Sequence, residues 1–140
     1  MTDVTSARAR VAATAIARVT AHARAALPEE CCGFLIGHDD RIEDAIAARN
    51  VSEQPTIRFL IDPADHFNAI RLARGRGLDV VGFYHSHPRS AAMPSVTDLA
   101  EATYHGYLYL IVGLARETPE IALFRLQEGN FLARPFVTVA

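Results

Sequence analysis

A chain of 140 residues, half of them hydrophobic and 21% charged, can bury a real core, which excludes a disordered polymer. Its 14 basic and 16 acidic side chains leave a formal charge of −2, so no strong field favours nucleic acid or an anionic membrane surface. The length fits one domain over residues 1–140, and any functional site must be built within that one fold.

The start, MTDVTSARAR, has no charged n-region followed by an apolar h-region, and no run approaches the roughly 18–20 apolar residues of a bilayer span. A cytoplasmic protein is expected. From Ser6 to Ala26, Val11, Ile16 and Val19 recur at near-helical spacing with Pro28 just beyond, which predicts an N-terminal helix. Cys31 and Cys32 are adjacent and close no useful loop, so reduced thiols acting as small core residues are expected rather than a disulfide or a nucleophile.

Cys32 to Gly37 is an apolar run closed by Gly37-His38-Asp39-Asp40, consistent with a buried strand and a turn, and Ile42 to Val51 predicts a second strand. Thr56 to Ile61, rich in β-branched and aromatic residues, reads as a third. Asp62-Pro63 then opens a helix that carries Phe67, Ile70, Leu72 and Ala73 on a helical period and stops at Gly75-Arg76-Gly77. Leu78 to Tyr84 predicts a core strand running into His85.

Residues 88–94 are loop-like, and Ser95 to Thr103 reads as a helix. Strands are expected at 108–112 and 121–126, then a turn at 127–130 and a last strand over Phe131 to Val139. The sum is one mixed sheet with helices packed on it.

Chemistry concentrates in Val80-Val81-Gly82-Phe83-Tyr84-His85-Ser86-His87-Pro88, where an apolar strand ends in two imidazoles at i and i+2. Alternate strand residues share a face and lie about 6.6 Å apart, close enough to converge on one cation. Asp98 is the candidate third ligand, since Ser95-Val96-Thr97-Asp98 opens a helix just after the loop. Ser95-x-x-Asp98 also reads as a helix cap, and the two roles are compatible. Two histidines and a carboxylate leave a fourth position for water, the pattern of a catalytic rather than a structural zinc site.

His85-Ser86-His87, seven residues, then Ser95-Val96-Thr97-Asp98 resembles the signature of the JAMM/MPN metallopeptidases, with no insertion or deletion. Upstream, Pro28-Glu29-Glu30-Cys31-Cys32-Gly33 is similar to the Pro-x-Glu-x-Cys-Gly segment of that family, which selects Glu30 over Glu29. The resemblance covers roughly Ala21 to Val112. It implies a mixed, largely antiparallel β-sheet flanked by helices, similar to cytidine deaminases, with Zn2+ held by His85, His87 and Asp98. It further implies that Glu30 takes the proton from the attacking water and that Ser95 hydrogen-bonds the oxyanion.

Short bacterial members that this chain resembles act on ubiquitin-like sulfur-carrier proteins, so a bond at the C-terminus of such a carrier, for example a carrier–cysteine adduct, is the expected substrate. Removal of a ubiquitin-like modifier from lysine is the alternative within the family, and a metal-free scaffold the alternative outside catalysis. The scaffold relatives lack the ligands that this sequence carries. An amidohydrolase barrel needs about 250 residues, and a zinc deaminase needs His-x-Glu with Pro-Cys-x-x-Cys; neither requirement is met. Ser86 is expected to support the backbone.

Overall fold

The computed structural model describes residues 8–140. Ser6 and Ala7, where the N-terminal helix is expected to begin, and most of the opening segment MTDVTSARAR lie outside it. The elements in chain order are β1 (Ala9–Ala12), α1 (Ala13–Ala26), β2 (Cys32–His38), β3 (Arg41–Ala48), α2 (Pro63–Gly75), β4 (Asp79–His87), α3 (Val96–Glu101), β5 (Leu108–Gly113), β6 (Glu120–Gln127), β7 (Asn130–Ala133) and β8 (Phe136–Val139). The strands form one sheet in the order β7-β6-β5-β4-β2-β3-β1-β8. Four neighbouring pairs are antiparallel, and β1–β3, β1–β8 and β4–β5 are parallel. This is the mixed, largely antiparallel sheet expected.

Side-chain alternation along the strands separates two cores. Leu35 and Tyr84 face α1, whose Ala15, Val19 and Ala23 recur every four residues on its buried side. Phe34, Ile36 and Phe83 face the other way, against Ala69 and Ala73 of α2. The helices therefore flank opposite faces. Of the apolar residues expected to bury α2, Ala73 does so, but Phe67 is 63% and Leu72 57% exposed, and Ala69 makes the contact beside Ala73. Small side chains let this helix approach the sheet closely.

Three further expectations are corrected. The first helix starts at Ala13, because Ala9 and Val11 alternate inward as a short strand between β3 and β8. Residues 56–61 form no strand; they belong to a loop touching β-structure only through an isolated Asn50–Ile61 bridge. The last strand is broken at Arg134-Pro135, since Pro135 offers no N–H to continue a ladder.

That break shapes the molecule. β7 and β8 lie at opposite edges of the sheet yet are joined only by Arg134 and Pro135, so the sheet must curl until its edges meet. Arg125 on β6 and Arg134 at the corner both pair with Asp40 in the β2–β3 turn, tying the curl shut. Among the described residues no helix is long and apolar enough to cross a membrane.

Candidate metal centre

β4 runs between β2 and β5 and continues through both histidines, with His85 paired to Cys32 on one side and to Ile111 on the other. His85 and His87 alternate onto the α2-side face with Phe83, and both are buried. Their Nε2 atoms lie 3.2 Å apart. Asp98 arrives from the first turn of α3, where Ser95 is the N-cap. The Asp98 amide donates to Ser95 Oγ at 2.9 Å, and the Ser95 amide donates to Asp98 Oδ2 at 2.9 Å. The capping box and the convergence on the histidines thus coexist, and the same oxygen, Oδ2, lies 3.1 Å from His85 Nε2 and 3.0 Å from His87 Nε2.

Three donor atoms within 3.0–3.2 Å of one another fit one small cation, because bonds of about 2.0–2.1 Å in a tetrahedral zinc site set ligand atoms about 3.3 Å apart. The tautomers agree. His87 Nδ1 faces the carbonyl of Ala91 at 2.9 Å and must donate to it, which leaves the Nε2 lone pair for the centre. Two facing nitrogens and a shared carboxylate oxygen need a positive charge between them, and proton or metal can supply it. Burial works to lower the His87 pKa, but the bonds to Asp98 and Ala91 outweigh it and hold the imidazole above its usual value. Burial pushes Asp98 up, and the two imidazoles and the Ser95 amide more than reverse this, keeping it well below the carboxylate range.

Glu30 enters from the connection between α1 and β2. Ser86 lies between the histidines and clamps the neighbouring residue: the Cys31 amide donates to Ser86 Oγ at 2.8 Å, and the Ser86 amide donates to Cys31 O at 3.2 Å. One step further along the antiparallel register sets Glu30 beside His87. Glu30 is buried while Glu29 is exposed. Burial raises the Glu30 carboxyl to about 7; His87 opposes the rise, and Asp98 and Glu101 add to it. Its Oε1 is buried and has no hydrogen-bond partner among the described residues.

Burial also raises the thiols, Cys31 to about 11 and Cys32 to about 12, so neither supplies a thiolate near neutral pH. The cysteines are free and buried. Several neighbours of the centre carry no recognisable signal in the sequence. The Phe59 ring stacks on His85 with centroids 4.5 Å apart, although its segment reads as a strand. Beside it lies an apolar recess of about 170 Å³ whose lining includes Phe59, Ile61, Phe83 and Tyr104. Gly113, at the end of β5, lies opposite His87, and a Cβ there would stand 2.5 Å from Ala92 N. The bare backbone lets the 88–94 loop lie flat, which is what carries the Ala91 carbonyl to His87.

The curled mixed sheet and the two-histidine, one-carboxylate centre define a metallopeptidase of the JAMM class. Residues 12–127 match the family described as prokaryotic homologs of the JAB domain (Prok-JAB), and the chain belongs to that family. It is 38% identical over 114 residues to a desampylase of Haloferax volcanii, covering 77% of this chain and 82% of the relative. It is 31% identical over 120 residues to a CysO-cysteine peptidase of Mycobacterium tuberculosis, covering 84% and 82%. A solution structure from Desulfitobacterium hafniense superposes with a TM-score of 0.84 at 29% identity, over 93% of this chain and 92% of that one.

Proposed function

We propose that this protein is a zinc-dependent peptidase that hydrolyses the bond formed by the C-terminus of a ubiquitin-like sulfur-carrier protein, with its whole length serving as one peptidase domain in the cytoplasm. The observation that carries the reading is the meeting of His85 Nε2, His87 Nε2 and Asp98 Oδ2 beside the buried carboxyl of Glu30.

In this reading His85, His87 and Asp98 hold the ion, which supplies Lewis acidity towards water and towards the scissile carbonyl. Glu30 takes a proton from the attacking water and delivers it to the leaving amine, so that hydrolysis ends with one carboxylic acid and one amine. Burial raises the carboxyl to about 7 when no cation is beside it, and a neighbouring cation would favour the ionised form that accepts the proton. Ser95 Oγ already accepts from the Asp98 amide, which leaves its O–H free to donate to the oxyanion.

The choice of a carrier adduct follows the relatives, one of which is named for a CysO–cysteine bond. Cleavage of a lysine-linked conjugate is the second reading, favoured by the higher identity to the desampylase. Intact mass measurement after incubating zinc-loaded protein with a carrier–cysteine adduct and with a lysine-linked conjugate tests both. Release of cysteine with the carrier left whole is the expected result, and zinc-dependent cleavage of neither substrate overturns the proposal.

A further inference from the structure

The side chain of Asn50 uses its whole hydrogen-bonding capacity on the surroundings of the centre. Its Nδ2 donates to the carbonyl of Glu30 at 3.0 Å and of Arg58 at 2.9 Å, with Pro55 O a third, longer acceptor at 3.4 Å. Its Oδ1 accepts from the amides of Ser52 and Leu60, each at 3.1 Å. An amide has two N–H donors and two lone pairs, so no capacity is left over. The loop from residue 51 to residue 60 is folded around this one group, in place of the strand ladder that its composition suggests.

Two consequences meet at the centre. Glu30 has both main-chain groups held by this arrangement, its carbonyl by Asn50 and its N–H by Pro55 O at 2.7 Å. Because Glu30 Oε1 has no hydrogen-bond partner among the described residues, backbone placement is what aims the carboxyl. Asn50 also grips Arg58 O and Leu60 N, the residues on either side of Phe59, whose ring covers His85. We propose that Asn50 is a positioning residue of this centre, whose side-chain amide sets the Glu30 backbone and the Phe59 ring in one fixed relation to the histidines.

The inference rests on the reading of Glu30 as the base. Asn50→Ala removes all the bonds, and Asn50→Asp keeps the shape and the acceptors while turning the donor into an oxygen facing three carbonyls. Both variants should bind one zinc as the parent does. Each should lose about 10–100-fold in kcat, the usual cost of removing a group that orients a reacting one, with KM changed less than about threefold. Introduced alongside Glu30→Gln, Asn50→Ala should lower single-turnover cleavage by much less than it does in the parent, since most of its effect passes through Glu30 and only the Phe59 part remains.

Independently of turnover, hydrogen exchange at the Glu30 amide of zinc-loaded Asn50→Ala should accelerate about tenfold or more, while the Ser86 and Asp98 amides keep their protection. Unchanged exchange at Glu30, or equal losses with and without Glu30→Gln, overturns the inference. Failure of the parent protein to cleave any carrier substrate bears on the proposed function alone, because the exchange experiment still decides the role of Asn50.

Discussion

His85 and His87 stand on a strand paired along both edges, and Asp98 on a helix end closed by a reciprocal cap, whereas Glu30 stands on a connection held by Ser86, by Asn50 and by one loop carbonyl. The ligand side is over-determined: each donor is fixed by regular structure that would form for other reasons. The base side depends on a few side chains and on a loop with no ladder of its own. A metal holder needs donors that converge with or without the ion, while a base must sit close to the centre without becoming a ligand, so the two sides meet different demands.

Substitutions that touch one side at a time separate the two. Glu30→Gln should have the largest effect, a loss of about 10²–10⁴-fold in turnover with zinc content unchanged, measured by metal analysis beside single-turnover cleavage. Substantial turnover in that variant would remove Glu30 from the chemistry. Asp98→Asn keeps an oxygen able to cap Ser95 but gives up the ionised ligand, so zinc affinity should fall by about 100-fold or more in a competition titration with a chelator. Parent-like affinity would mean that Oδ2 serves the cap alone.

The same division explains what could be read in the sequence. His-x-His on an apolar strand and Ser-x-x-Asp at a helix start are local patterns, and regular structure converts them directly into geometry. Asn50, Phe59, Ala91 and Gly113 act through contacts whose partners are remote in sequence or have no motif: an amide to carbonyls 8 and 20 residues away, a ring over an imidazole, a bare backbone under a loop. The segment 56–61 departs from its expected strand for the same reason. Its β-branched and aromatic residues satisfy a strand pattern, but Leu60 N and Arg58 O bond to an asparagine side chain instead of a neighbouring strand. The break in the final strand is local, at Pro135, whose missing N–H ends a ladder; that the chain then crosses to the far edge of a curled sheet is a long-range result that no window of sequence contains.

The buried carboxyl gives the base side a second signature in protein stripped of metal. Burial raises Glu30 from about 4.5 to about 7, so between those values the folded protein holds more protons than the unfolded chain. This contribution to stability is therefore present below about pH 4.5, is lost as pH rises through about 7, and stays lost above. Glu30→Gln removes the titrating charge, so at pH 8 the metal-free variant should exceed the metal-free parent by on the order of 2–3 kcal/mol in urea unfolding, with the gap closing near pH 5. A gap that does not change with pH would mean that the carboxyl is well solvated in the folded protein.

Gly113→Ala tests how far the ligand side can be disturbed without touching a ligand. The new methyl would stand 2.5 Å from Ala92 N and 2.7 Å from Ala91 C, so the 88–94 loop must lift. Lifting it withdraws the Ala91 carbonyl from His87 Nδ1 and frees the imidazole to turn or to change tautomer. Zinc affinity should fall about tenfold, less than for Asp98→Asn because all three donors remain, and Glu30 amide exchange should stay at the parent rate because Asn50 is untouched. An unaltered affinity would show that β4 alone fixes His87 and that the carbonyl contributes nothing to its aim; a change in Glu30 exchange would show that the disturbance reaches the base side through β4 and the Ser86–Cys31 hydrogen bonds.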